Sequence, residues 1–410
     1  MGGSVFASGD SPLHTPRMPP DIYELVKSRC HAALRSIYVC VASPIEGPEK
    51  TDFGDIDILV AWEKAAVLGP STAVAFASKD EARLAIQAAL GADYVKYGNT
   101  GDHYAVPWPN DDAVNRRYIQ VDLAICNSLD KLQWSLFKHA HGDLWSILGT
   151  IVRPYGLTVD ERSLWLRVPE IEKLHKNWAK VHLTSDQNEI LRFLGLDIGR
   201  FSDGPFSSRN DMYEYAAQCR MFVVRPGDDA GPAAGSSTAS GSNSQDTEPG
   251  SKKLNSKDRK RMNSRPGFSK WIEEFLPRCR AETRFMEERT SRQAVREEAF
   301  QRFGVEKEYM GRLSEFMRKQ SQETILAHIK ELVPAATPGD PQSCQYRGCL
   351  MKALKKIIFE GDKSYGVVPE TTLEDDLGFM IQEKATRFVS DNLDAIGKAA
   401  MAKHYEHYEQ

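Results

Sequence analysis

The sequence lacks any apolar run approaching the roughly 18 residues that a membrane-spanning helix needs, so no membrane span is expected. It lacks a cysteine framework too. The seven cysteines (Cys30, Cys40, Cys126, Cys219, Cys279, Cys344 and Cys349) are odd in number and scattered. No signal-peptide apolar region precedes them, so they read as reduced thiols of an intracellular protein, cytoplasmic or nuclear. Cys344 and Cys349 are the only close pair, and a zinc site there would need His404 and His407; unpaired thiols are the expected state. There is also no strong excess of charge of either sign. The net charge is −4, which excludes a uniformly basic nucleic-acid binder and confines any basic surface to a local patch. No internal repeat of useful period is visible.

What is present is ordinary globular material. Apolar residues make up 41% and charged residues 27% of 410 residues, enough for a normal core and, at roughly 100–200 residues per domain, for two or three domains. Residues 1–20 are rich in Gly, Ser and Pro and read as a flexible tail. From Asp21, helical spacing (Tyr23, Leu25, Val26, Cys30, Ala33) leads into the strand run SIYVCVAS, a polar loop with Gly47, Pro48 and Gly54, and a second strand DIDILVAW. KDEARLAIQAAL reads as a helix ending at Gly91. DYVKYGNTGDHYAVPW reads as strands flanking a turn, and RRYIQVDLAIC as a further strand. Residues 21–127 thus form a small mixed-sheet domain. Residues 128–225 read as helical. Asp143 is the expected N-cap of LWSILGTIVRPY, and Ser185 or Asp186 that of the next helix. Residues 226–250 hold almost no large apolar residue and read as a disordered insertion. Residues 251–410 begin with SKKLNSKDRKRMNSRPGFSK, which holds eight basic residues and one acidic, and continue as long amphipathic helices. The fold class is α+β.

The chemistry concentrates in two strands. Side chains alternate along a strand. Ile56, Ile58 and Val60 therefore face one way and Asp55, Asp57 and Leu59 the other. Ile119, Val121, Leu123 and Ile125 share an apolar face, and Asp122 points away from them with Gln120 beside it. If the strands are neighbours, three carboxylates converge. Like charges so placed are unfavourable unless a cation neutralises them, and an oxygen-only donor set suits Mg²⁺ or Mn²⁺. A D-x-D at a strand start is common and is usually a solvated edge; its surroundings decide the reading.

Ser43 ends the upstream strand, twelve positions before Asp55. Val41-Ala42-Ser43, Asp55-Ile56-Asp57, Asp122 in Val121-Asp122-Leu123, Gly54 before the first acid and Arg116-Arg117 before the third together resemble the DNA polymerase β-like nucleotidyltransferase superfamily, and KHAHGDLWSILGTIVRPYGLTVDERSLW resembles the helical segment after the third acid in its phage and fungal type. Ala42 stands where that pattern has glycine, Pro44 follows Ser43, and Glu46 stands where some members carry arginine. The resemblance implies a small mixed-sheet nucleotidyltransferase domain followed by a mainly helical one. It implies that Asp55, Asp57 and Asp122 are catalytic and hold Mg²⁺ or Mn²⁺. It also implies that Ala42, Ser43 and Gly54 bind the nucleotide, with the triphosphate at a helix N-terminus after Ser43. The activity implied is transfer of a nucleoside monophosphate from a nucleoside triphosphate to a hydroxyl acceptor. A nucleotide- or RNA-binding module without turnover is the alternative.

Other candidates are weaker. Lys96, His103 and Arg116 could reach a phosphate or simply face solvent. His139 and His141 could pair on a metal or be part-buried near a helix start. Trp134, Trp145 and Trp165 could stack bases but fall at apolar helical positions. The basic run Lys252–Lys270 could contact an RNA backbone, act as a localisation signal, or form a solvated helix face.

Overall fold

The computed structural model describes residues 3–8, 11–69, 76–99, 101–111, 116–225 and 256–408. The low-complexity stretch 226–250 and the start of the basic run, including Lys252, lie outside the described residues. The chain divides into two compact units. One comprises Met1–Arg167 and His182–Gly304, the other Val168–Val181 and Val305–Gln410.

The first unit is built on a five-stranded mixed sheet. In chain order its opening elements are helix α1 (Pro20–Leu34), strands β1 (Tyr38–Ala42) and β2 (Asp55–Glu63), helices α2 (Lys64–Leu68) and α3 (Lys79–Leu90), strands β3 (Tyr94–Lys96), β4 (Asp102–Pro107) and β5 (Tyr118–Cys126), and helices α4 (Leu129–His139) and α5 (Leu144–Val152). The strand order is β1-β2-β5-β4-β3. Only β2 and β5 run parallel; β1 on β2, β4 on β5 and β3 on β4 are antiparallel. The parallel pair is possible because the long connection through α3 and the β3–β4 hairpin brings the chain back to the end of the sheet where β2 began.

Alternation along the strands sorts residues to two faces. Ile56, Ile58 and Val60 of β2 and Ile119, Val121 and Leu123 of β5 bury against Tyr23, Val26, Cys30 and Leu34 of α1 and Ile86 and Leu90 of α3. Removing each of these aliphatic side chains from water contributes about 1.5–3 kcal/mol. Ile125, expected on the same apolar row, is instead 47% exposed and lies outside that core cluster, near the strand's C-terminal end. On the opposite face, Leu59, Ala61 and Cys126 pack under Leu132 of α4. The caps follow the local chemistry. Ser78 accepts from the Glu81 N–H to start α3, and Gly91, with φ +62°, ends it. Ser128 starts α4 by accepting from the Lys131 N–H.

Residues 11–18, read from composition as part of a tail, run along the sheet. Met18 is fully buried and pairs with Phe53 in an isolated antiparallel bridge. Beyond α5 the unit continues with two antiparallel strands, Leu157–Val159 and Leu164–Arg167, which the sequence pattern did not reveal because each is too short for a period of two to register. A helix over Gln187–Leu194 follows, capped by Asp186. A later aromatic core centres on Trp271, 1% exposed, stacked on Phe275 with ring centroids 4.7 Å apart.

The second unit is helical. Helices Glu306–Leu332, Pro341–Glu360 and Gln382–Tyr408 pack around Ile325, Ile329, Leu354, Ile357, Val389 and Ile396. Breaks fall at the Pro334–Pro341 and Gly361–Pro369 stretches, where proline and glycine interrupt helical hydrogen bonding. Among the described residues, no helix is long and apolar enough to cross a membrane.

Candidate functional site

The parallel register of β2 on β5 decides where the acids go. Asp57 stands directly opposite Asp122, and Asp55 opposite Gln120. Adjacent strands lie about 4.8 Å apart, so all three carboxylates share one patch of one sheet face. Leu59, two residues beyond Asp57, is already under α4. The acids therefore occupy the half of the face that α4 leaves uncovered.

The surroundings make this patch electrostatically strained. Burial, then the charges of Asp55, Asp122 and Glu46, push the Asp57 carboxyl up to about 7, with Lys50 opposing. Burial and Asp122 also raise Asp55, against Lys50 and a hydrogen bond from the Gly3 N–H. Asp57 is nonetheless open to water on its outer side, so the crowding acts from beneath and from the flanks. Glu46 is fixed beside the patch: the Tyr23 hydroxyl donates to its Oε1 at 2.5 Å, and Lys50 Nζ donates to its Oε2 at 2.5 Å.

Asp122 is oriented by two donors on a single oxygen. His103 Nδ1 lies 2.7 Å from Oδ1, and Gln120 Nε2 lies 2.8 Å from the same atom. A carboxylate only accepts, so His103 carries its proton on Nδ1. Both bonds fall on Oδ1. Gln120 is itself 1% exposed, and its Oε1 accepts from the Val5 N–H at 3.0 Å.

Ser43 closes the patch at the end of β1. Its Oγ donates to the Asp57 carbonyl at 2.6 Å and lies 2.9 Å from His31 Nε2. A hydroxyl has one proton, so His31 donates through Nε2–H. Burial, with Arg35 and Lys27 nearby, lowers the His31 pKa and favours this neutral ring. The helix expected after Ser43 is not there: residues 43–47 are irregular. Pro44 removes one backbone donor, and Pro48 biases Gly47 toward extended backbone. This loop is instead held by the His141 N–H, which donates to the Ile45 carbonyl at 2.8 Å.

Beside Ser43 opens a cleft of about 750 Å³, lined among others by Ile45, Trp134, Asn188, Leu191 and Phe201. Trp134 is fixed there by donating from its indole nitrogen to the Ser185 carbonyl at 3.0 Å. Several candidates from the sequence have other employment. Lys96 Nζ donates to the carbonyls of Val5 and Ser8, and Arg116 pairs with Asp93 at 2.7 Å. His141 is wholly buried, with Nε2 2.8 Å from the Phe201 carbonyl. Trp145 is core. Asp143 sits at the start of α5 but makes no side-chain cap bond; its carboxylate accepts from Arg265 and from the Phe268 N–H. All seven cysteines are free thiols.

The donor set fits a hard divalent cation: oxygen ligands and mutual repulsion that a cation would relieve. Among the described residues, no three His, Cys, Asp or Glu side chains are already gathered as a metal cage. Asp55 is engaged by Gly3 and Asp122 by His103 and Gln120. Sequence reasoning missed His31, Lys50 and the 3–8 segment as neighbours of the acids. His31 sits on a helix with no motif to mark it, and the segment's role depends on contacts made more than 80 residues away.

No family model matches the chain, and no curated protein matches it. Among solved structures it is similar to Leishmania infantum polymerase beta in a ternary P/T complex, at 12% identity and a TM-score of 0.31, covering 46% of this chain and 77% of that one.

Proposed function

We propose that this chain is a divalent-metal-dependent nucleotidyltransferase that moves a nucleoside monophosphate from a nucleoside triphosphate to a hydroxyl acceptor and releases pyrophosphate. The observation that carries the reading is the pairing of Asp57 opposite Asp122 with Asp55 on the same open face. The motif spacing from Ser43 to Asp55 supports it.

In this reading Asp55 and Asp57 hold Mg²⁺ or Mn²⁺, and Asp122 completes the set and takes the proton of the acceptor hydroxyl. The ions, when bound, supply Lewis-acid stabilisation of the attacking and leaving oxygens. The acceptor oxygen attacks the α-phosphorus, the bond to the bridging oxygen breaks, and pyrophosphate departs with that electron pair. Ser43 Oγ and the backbone at Ala42 and Gly54 flank the phosphates. The neighbouring cleft has the size of a nucleoside-binding site. His103 and Gln120 hold Asp122 in place through its Oδ1.

An RNA acceptor is favoured by the described part of the basic run. Arg259 and Lys260 are exposed there. The buried Asp258 anchors the segment through Arg153 at 3.1 Å and Arg261 at 2.6 Å, leaving a local cationic surface for a phosphate backbone. Such a protein would work inside the cell, in cytoplasm or nucleus.

The test is label transfer from each α-labelled nucleoside triphosphate, with Mg²⁺ or Mn²⁺, to total RNA or to the protein itself, with Asp57→Ala run alongside. Transfer that the substitution abolishes is the expected result. Metal-dependent nucleotide binding without transfer would favour a binding module. Nucleotide binding unchanged by both Asp57→Ala and Asp122→Ala would remove the metal site from either reading.

A further inference from the structure

Residues 3–8 lie across the same half-face that carries the acids. The Gly3 N–H donates to the Asp55 carboxylate. The Val5 N–H donates to Gln120, the residue that orients Asp122. Lys96 Nζ grips the segment's backbone at the carbonyls of Val5, 2.7 Å, and Ser8, 3.2 Å. Phe6, 2% exposed, packs against Ala105 and Tyr118, with the Lys96 ammonium 5.2 Å from its ring centroid. The fit at Gly3 is close: φ is +84°, and a Cβ there would stand 2.0 Å from the Gly54 carbonyl oxygen. The following segment ties the seat down. The Leu13 N–H donates to the Phe6 carbonyl at 2.9 Å, Thr15 Oγ1 to the Gly3 carbonyl at 3.2 Å, and the Tyr118 N–H of β5 to the His14 carbonyl at 2.9 Å.

We propose that residues 3–8 are an autoinhibitory strap, seated on Asp55, Gly54 and Gln120 at one edge of the carboxylate face of β2 and β5 until metal and nucleotide displace them. The proposal rests on reading Asp55, Asp57 and Asp122 as a metal site. With the strap seated, one lone-pair direction of Asp55 is occupied by Gly3, and backbone crowds Gly54, where a triphosphate would approach. The strap is also built to leave. Among its described residues Phe6 is the one fully buried side chain, while Ser4, Ala7 and Ser8 are exposed. Its remaining hold is a handful of hydrogen bonds, and those from the Lys96 ammonium lie at the exposed surface, where water can replace them. Metal binding must compete with that seat, so the apparent affinity falls by the fraction of molecules in which the strap is open.

The experiment is Mn²⁺ binding to the full chain, read from the electron paramagnetic resonance signal of free Mn²⁺, for the wild type, Gly3→Val, Phe6→Ala and Asp57→Ala. Gly3→Val unseats the strap at Gly54 and leaves the Phe6 anchor in place, so it does not depend on the fold tolerating Phe6→Ala. Both strap variants should bind Mn²⁺ about tenfold more tightly than wild type, corresponding to a strap open in about a tenth of molecules. In wild type, saturating Mn²⁺ should speed amide exchange across residues 3–8. Equal affinity in wild type and both strap variants, with binding lost in Asp57→Ala, overturns the strap and leaves the metal site standing. Absence of binding in all four proteins overturns the metal site and the strap's role with it.

Discussion

Replacing Asp57 by Asn should stabilise the metal-free protein, and the gain should grow with pH. Asp57 is held from the ordinary 3.8 up to about 7 by burial and by Asp55, Asp122 and Glu46. Below about pH 4 the carboxyl is protonated in both folded and unfolded chains, so the cost of ionising it is absent. Between 4 and 7 the unfolded chain releases the proton and the folded chain keeps it, so folding stability falls as pH rises. Above 7 the loss is complete and constant. The full interval corresponds to about 4 kcal/mol; Asp57 is open to water on its outer side, and screening there reduces the expected cost to about 1–2 kcal/mol. Asn keeps the shape and cannot ionise. Urea unfolding of the two proteins between pH 4.5 and 8.5, without divalent metal, should give a difference that widens to that value and then levels off. Adding Mn²⁺ to one hundred times its dissociation constant should restore about 2.7 kcal/mol to the wild type at pH 8 and much less to the variant. A difference flat across the pH range would refute the crowding argument. Equal stabilisation of both proteins by Mn²⁺ would refute the placement of the metal at Asp57.

Two further substitutions test the scaffold. Trp271→Ala should cost about 3–5 kcal/mol in chemical denaturation, because the ring is buried and touches Phe275, Tyr213 and Phe222; a loss below about 1 kcal/mol would mean the aromatic cluster is not a packed core. Gly142→Ala should cost about 1–3 kcal/mol, since Gly142 has φ +63° and a Cβ would meet Gly47 Cα at 3.2 Å. The same variant should loosen the loop after Ser43, measured as faster amide exchange over residues 43–47.

The strands that carry the acids were legible because their two faces have opposite solvent demands. Ile56, Ile58 and Val60 alternate with Asp55 and Asp57, and a shift of one residue would bury the charges. Helix ends were legible where an aspartate precedes an apolar period, as at Asp186, one of the two caps offered there, and at Gly91. Asp143 misled because a cap-type residue at a helix start can spend its carboxylate elsewhere; Arg265 and the Phe268 N–H take it. Ile125 misled because alternation says which face a residue takes but not how far along the strand the covering helices reach.

What the sequence determined by itself is therefore local: the alternation that exposes Asp55, Asp57 and Asp122, and the apolar rows that bury their strands. What only the tertiary structure decided is non-local. The parallel register sets Asp57 against Asp122. His103, from the hairpin strand β4, fixes one oxygen of Asp122, and His31 reaches Ser43 from α1. The backbone of residues 3–8 lies on Asp55 and Gln120. Each of these depends on groups far apart in sequence meeting at hydrogen-bond distance, and neither periodicity nor spacing encodes such a meeting.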